Sequence, residues 1–262
     1  MVVGICQTDI VFEDKKYNLI SAEDYIAKCK DKGAQLVLFP EMSMTGFTME
    51  PEKVYENPDD NYTLNVMKEY ATRYNTAVGF GYIKKVGPDY TNCYAFVDNK
   101  GTLLCEYAKT HPFSIAGEDE HYASGNELKF CTINGITICP LICYELRFPE
   151  LFQIASAKAD LIVVPANWNG RRTEHWNLLL KARALENQCY VIGVNRVGED
   201  NETFYLGDSM MVNPEGQIID ILEEKPGIMI VDVDKEQVEE SRKEFPVKKD
   251  RRPELYRRLM VQ

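Results

Sequence analysis

The 262-residue chain has no apolar run approaching 18 residues, so nothing in it is expected to span a membrane. Basic charge is in short supply: 30 lysines and arginines face 41 acidic residues, a formal net charge of −11. That balance argues against nucleic acid or an anionic membrane as the main partner. There are only three histidines, and no Cys-x-x-Cys pair or close histidine pair. A metal site drawn from His111, His121, Cys131, Cys139 and Cys143 therefore lacks the usual ligand spacings, and strand alternation would scatter these side chains. No glycine loop opens a helix, since Gly79-Phe-Gly81 lies inside a strand-like run, so a nucleotide-binding module is disfavoured. The first residues, Met-Val-Val-Gly-Ile-Cys-Gln-Thr-Asp, lack a signal-peptide pattern. Eight cysteines are scattered through apolar runs rather than set out as a disulfide framework, which suits a reducing cytoplasm. No linker or low-complexity tract divides the chain. We expect one domain over 1–262, with 245–262 a basic, proline-broken arm.

What is present is an alternation of two periods. Helical stripes run over Lys15 to Cys29, Asn61 to Tyr74, Phe148 to Lys158, Arg172 to Asn187 and Lys235 to Arg242. Strand-like runs cover Val2–Gln7, Gln35–Phe39, Thr76–Lys84, Tyr90–Val97, Thr102–Tyr107, Leu128–Thr132 and Ile136–Ile142. They continue over Asp160–Val164, Tyr190–Asn195, Phe204–Val212, Gln217–Ile221 and Ile228–Val233. Gly87-Pro88-Asp89, Asp98-Asn-Lys-Gly101 and Asn134-Gly135 read as hairpin turns. Continuous apolar strands mixed with hairpins predict an α/β protein of two mixed sheets packed face to face, with helices outside each.

The stretch Ile138-Cys-Pro-Leu-Ile-Cys143-Tyr-Glu-Leu-Arg-Phe-Pro-Glu150 carries chemistry. A cysteine that ends a buried strand just before a helix start meets free N–H groups and a positive dipole end. Both favour thiolate and can hold an oxyanion. A buried small hydrophobe is the competing reading of Cys143. Two further polar residues also follow strands: Glu41 after Leu36–Phe39 and Lys109 after Leu103–Tyr107. Each has a bland reading, as a loop cap or a solvated surface charge. If the strand ends converge, the set provides a base, an oxyanion partner and a nucleophile for attack on a carbonyl.

Leu38-Phe-Pro-Glu-Met-Ser-Met-Thr-Gly-Phe47, Tyr107-Ala-Lys-Thr-His-Pro-Phe113 and Cys143-Tyr-Glu-Leu-Arg-Phe-Pro-Glu150 together resemble the three signatures of the nitrilase, or carbon–nitrogen hydrolase, superfamily. The resemblance extends from Val3 to about Val233. Pro165-Ala-Asn-Trp, Arg172 with His175-Trp176, Ala182 to Gln188, Val194-Asn-Arg-Val-Gly198, Tyr205 to Ser209 and Asn213-Pro-Glu-Gly216 look like bacterial ω-amidases. It implies an α-β-β-α sandwich that dimerises, and a Glu–Lys–Cys triad at Glu41, Lys109 and Cys143. It also implies a second glutamate, matched best by Glu118 and next by Glu120. Glu145 departs from the pattern, standing where the motif often has aspartate.

The implied reaction is hydrolysis of the terminal amide of a short dicarboxylic monoamide through a cysteine thioester, with no cofactor or metal. The Tyr144 N–H would join Lys109 at the oxyanion. An arginine should meet the substrate's remote carboxylate: Arg172 first, with His175 beside it, and Arg171 and Arg196 in reserve. Arg147 is expected instead to brace Glu145 or its loop. The superfamily also contains nitrilases, carbamoylases and amidases of deaminated glutathione, and a catalytically silent interaction protein is the remaining alternative.

Overall fold

The computed structural model describes residues 1–200 and 203–260. Its first half runs β1 (Val2–Gln7), α1 (Lys15–Asp31), β2 (Leu36–Leu38), α2 (Tyr62–Arg73), β3 (Ala77–Val86), β4 (Asp89–Val97), β5 (Leu103–Ala108) and α3 (Glu118–His121). The second half runs β6 (Cys131–Ile133), β7 (Ile136–Pro140), α4 (Pro149–Ala155), β8 (Leu161–Ala166), α5 (Thr173–Asn187), β9 (Tyr190–Asn195), β10 (Val197–Asp200), β11 (Thr203–Leu206), β12 (Met210–Val212), β13 (Ile218–Ile221), β14 (Gly227–Asp232), α6 (Lys235–Glu244) and α7 (Pro253–Leu259). No helix among the described residues is long and apolar enough to cross a membrane.

Two six-stranded mixed sheets result, ordered β14-β1-β2-β3-β4-β5 and β13-β12-β9-β8-β7-β6, with β10 and β11 forming a separate ribbon. Each sheet has a parallel trio at its centre, β1-β2-β3 and β7-β8-β9, flanked by antiparallel strands. Parallel strands need both faces covered. In the first sheet the alternation is direct. Leu36, Leu38 and Ala77 join the core shared with the second sheet, while Val37, Phe39, Val78 and Phe80 pack against Leu19, Ala22 and Ile26 of α1 and Met67 and Ala71 of α2. On the second sheet, Phe152 of α4 and Trp176, Leu180 and Ala184 of α5 cover the outer face. The four layers are therefore helices, sheet, sheet, helices. Burying each large aliphatic or aromatic side chain contributes about 1.5–3 kcal/mol.

Local chemistry sets the boundaries. Asp14 and Asn61 cap α1 and α2, accepting the N–H groups of Tyr17 and Leu64 at 2.9 and 2.8 Å. The Asn134-Gly135 turn has both residues at positive φ (48° and 81°), as a two-residue hairpin requires.

Three sequence expectations need correction. The run from Phe204 to Val212 is not one strand. It breaks at Gly207–Ser209, and its halves join different sheets. A Cβ at Gly207 would lie 2.3 Å from the Gln7 side chain, so this loop crosses tightly over β1. The strand at Leu128–Thr132 starts only at Cys131. The helix expected from Phe148 begins at Pro149, and a 3-10 turn, Cys143–Arg147, comes between it and β7. The arm folds as a short turn (Val247–Asp250) and α7, with no buried side chain over 245–260; residues 261–262 lie outside the described residues. Lys248 Nζ donates to Ser156 O at 2.8 Å, just beyond the C-terminal end of α4.

Candidate active site

Glu41 follows β2 through Phe39-Pro40, and Met42 beside it has a φ of 42°. This turn lies against β3 at Gly81, where a Cβ would come within 2.4 Å of Met42 N. Any side chain there would displace the glutamate. Lys109 follows β5. Its N–H donates to Asn92 O at 2.9 Å and its carbonyl accepts from Gly125 N–H at 2.8 Å, so its backbone is held on both sides. Glu118 opens the four-residue α3. Glu41, Lys109 and Glu118 are all at most 1% exposed.

These side chains form one hydrogen-bonded group. Lys109 Nζ donates to Glu41 Oε1 at 2.8 Å and to Glu118 Oε1 and Oε2 at 3.1 and 2.8 Å. Asn92 Nδ2 donates to the same Oε1 atoms of Glu41 and Glu118, at 2.7 and 3.0 Å. The Asn167 N–H donates to Glu41 Oε2 at 2.9 Å, and its amide to Glu41 O at 2.7 Å. The Phe113 N–H donates to Glu118 Oε2. Glu120 is exposed and outside this group, so of the two candidate glutamates it is Glu118 that meets Lys109.

Cys143 stands at the first position of the 3-10 turn with a φ of 48°. A left-handed conformation in a non-glycine residue costs roughly 1–2 kcal/mol. Glu145 holds the turn. Its buried carboxylate accepts from the Ile142 N–H on one side, and from Tyr107 Oη (2.7 Å), Thr110 N (2.7 Å), Thr110 Oγ1 and His111 N (3.3 Å) on the other. The glutamate thus ties the loop after Lys109 to the residue before Cys143. Burial raises its pKa, opposed by these donors.

Electrostatics correct one expectation. Burial pushes the Cys143 thiol well above its ordinary range and the Glu41 charge adds to the rise, with Lys109 opposing. These surroundings favour the thiol over the thiolate. A 3-10 turn supplies little dipole, and a carboxylate lies beside the sulfur. Burial would also raise Glu41, but the Lys109 ammonium and the donors from Lys109, Asn167 and Asn92 outweigh it and lower its pKa. Burial works against the Lys109 charge; the Glu41 and Glu118 carboxylates outweigh it and raise its pKa. The arrangement favours an ionised carboxylate beside a protonated thiol, with the Lys109 ammonium between two carboxylates.

A cavity of about 640 Å³ opens onto Cys143 and Lys109. Tyr144 and Arg172 line it, as anticipated. His175 does not: it is exposed, and Arg147 Nη2 lies 3.3 Å from its Nδ1. Arg171 is exposed and off the lining, and Arg196 is buried and already engaged by Asp200 and Ile10 O. Arg147 makes no bond to Glu145 and instead lines the cavity, its guanidinium 4.9 Å from the Trp168 ring centre. Arg172 lies 5.8 Å from the Phe113 ring. Among the described residues, neither arginine has a carboxylate within 4 Å. Burial lowers the Arg147 pKa, and the charge of Arg172 adds to the effect. Asn92 and Asn167 were not singled out from sequence, and Arg147 was assigned to the Glu145 loop rather than to the cavity. The only hint of Asn92 was a polar Thr-Asn step within an otherwise apolar strand.

Residues 2–243 match the carbon–nitrogen hydrolase family model. The chain is similar to a hydrolase in the agr operon of Staphylococcus aureus, 34% identical over 98% of this chain and 100% of that one. It is similar to the omega-amidase YafV of Escherichia coli, 38% identical over 71% of this chain and 72% of the relative. Its fold matches a CN-hydrolase superfamily protein from Xanthomonas campestris that carries an arsenic adduct in its active site. There the TM-score is 0.87 and the identity 28%, over 96% of this chain and 97% of the other. Matched along nearly its whole length, the chain belongs to the carbon–nitrogen hydrolase family of the nitrilase superfamily.

Proposed function

We propose that this protein is a thiol-dependent ω-amidase, which hydrolyses the terminal amide of short dicarboxylic monoamides such as 2-oxoglutaramate or 2-oxosuccinamate. Glu41 takes the Cys143 proton as the sulfur attacks the amide carbonyl, so no standing thiolate is needed. Lys109 and the N–H of Tyr144 stabilise the tetrahedral oxyanion. Glu41 returns the proton to the departing nitrogen, and ammonia leaves as the C–N bond breaks. Water, deprotonated by Glu41, then opens the thioester to the acid and restores the thiol. Glu118 keeps Lys109 charged and aimed. The steps call for no cofactor.

The single observation that carries the substrate class is a pair of arginines lining the same cavity as Cys143, Arg147 and Arg172, neither of which has a carboxylate within 4 Å among the described residues. A partly buried guanidinium without an anion is costly, and a substrate carboxylate would relieve both. The likeness to an ω-amidase supports the same reading. We infer further that one chain-long domain works as a homodimer in a reducing cytoplasm. The sparsely buried arm and eight free cysteines support this. Ammonia release from a panel of monoamides tests the substrate class. Dicarboxylic monoamides should be turned over faster than neutral amides of matched length, and a preference for the neutral amides, or for deaminated glutathione, would overturn it.

A further inference from the structure

Two carboxylates meet one ammonium in the buried group, so the group carries a net negative charge before the thiol is counted. Asn92, in the middle of β4, is the neutral residue that touches both carboxylates. Its Nδ2 bridges Glu41 Oε1 and Glu118 Oε1, the atoms that Lys109 Nζ also bridges. Its carbonyl, in turn, accepts the Lys109 N–H. One residue thus fixes both glutamates and the lysine backbone.

The amide orientation is dictated by its surroundings: turned over, Oδ1 would face two carboxylate oxygens. As it stands, Oδ1 is buried and has no hydrogen-bond partner among the described residues. An orphaned buried acceptor is a cost that a packing role would not require, since a leucine fills similar space without it. The compensation is the double donor on the other side. The titratable groups that act on or are acted on by Glu41 are Lys109, Glu118 and Cys143 within the group, with Tyr122 and the cavity-lining Tyr205. Of these, only Lys109 brings positive charge.

We propose that Asn92 is a positioning residue, an uncharged clamp that holds Glu41 and Glu118 on the Lys109 ammonium and keeps Glu41 available as the base. The inference rests on the reading of Glu41 as the base for Cys143. Its donor to Glu41 acts in the direction already noted, lowering that carboxyl's pKa. Loss of the clamp leaves the carboxylates facing each other with Lys109 alone between them, and Glu41 then protonates at higher pH.

The test is the pH dependence of Cys143 alkylation by iodoacetamide, followed by peptide mass spectrometry, which requires no knowledge of the natural substrate. In the unmodified protein, alkylation falls away at acid pH as Glu41 takes a proton. In Asn92→Leu, this acid limb should move up by about one pH unit, a roughly tenfold slower reaction at a fixed acid pH. Asn92→Asp, which fits the same space and adds a third carboxylate, should move it further and serves if the leucine variant does not fold. A packing role would alter the melting temperature and leave the limb in place, and that result overturns the proposal. Glu41→Gln separates the two layers of inference. If it leaves alkylation unchanged, the reading of Glu41 fails and the clamp with it. If it abolishes the acid limb while both Asn92 variants keep the original one, the clamp alone falls.

Discussion

Glu118 grips Lys109 with both carboxylate oxygens, at 3.1 and 2.8 Å, while Oε2 also accepts the N–H of Phe113. Phe113 is part of the cavity wall. The glutamate therefore joins the ammonium to the segment that shapes the pocket. Glu118→Gln keeps the size but removes the charge that helps hold Lys109 up. We expect kcat/KM to fall by about two orders of magnitude, roughly 3 kcal/mol in the transition state. The melting temperature should shift far less than a buried charge left wholly unpaired would require, because Glu41 still pairs with Lys109. Kinetics and thermal unfolding of the same preparation check this, and undiminished turnover would remove Glu118 from the proposed machinery.

Cys143 should titrate as a thiol that its neighbours keep protonated. Burial and the Glu41 carboxylate raise its pKa, and Lys109 lowers it. Glu41→Gln removes one of the charges that raise it, while burial and Glu118 still oppose Lys109, so the pKa should fall even as turnover is lost. Thiolate absorbance near 240 nm, taken as a difference against Cys143→Ala, should rise at lower pH in Glu41→Gln than in the unmodified protein. Coincident titration curves would show that the carboxylate does not act on the sulfur.

Arg147 and Arg172 should discriminate between substrates rather than drive bond breaking. Arg172→Met is expected to cost roughly 2–4 kcal/mol in kcat/KM on a dicarboxylic monoamide and little on a neutral amide of the same length. Arg147→Met should behave likewise, because the two cations face one cavity. Equal losses on both amides would count against a carboxylate site.

The arm exposes Phe245 (71%), Leu259 (54%) and Met260 (73%). Apolar side chains left this open on a peripheral segment suit burial by a second copy. Light scattering at micromolar concentration should give the mass of a dimer, and a strictly monomeric mass would contradict the proposal.

The layered fold was legible from local patterns, whereas strand-end positions alone left the convergence of Glu41, Lys109 and Cys143 open and only the resemblance of the three motifs implied it. Continuous apolar strands demand cover on both faces, and each of these residues lies within three positions of a strand end. The charge state of Cys143 was not legible. It depends on how deeply the sulfur is buried and on which groups distant in sequence, Glu41 and Lys109 among them, are brought beside it. Arg147 was misread for a related reason. Its nearness to Glu145 in sequence suggested a pair, but the 3-10 turn points the two side chains to different sides, Glu145 inward to Tyr107 and Thr110, Arg147 outward over Trp168. Asn92 was hidden because a strand asparagine becomes informative only once its cross-strand neighbours are known. Gly81 and Gly125 carry the same lesson: each is required by the backbone that crosses it, Met42 and Ala108 respectively.

The most direct measurement compares two cysteines four residues apart. Cys143 lines the cavity, whereas Cys139 is fully buried outside it, its Sγ 3.7 Å from Pro140 O. Ammonia release from a dicarboxylic monoamide should fall by several orders of magnitude in a folded Cys143→Ala variant, as expected when a covalent nucleophile is removed. Cys139→Ala should lose some stability and keep its turnover. If Cys139→Ala abolished turnover while Cys143→Ala retained it, the nucleophile assignment, and the mechanism built on it, would be wrong.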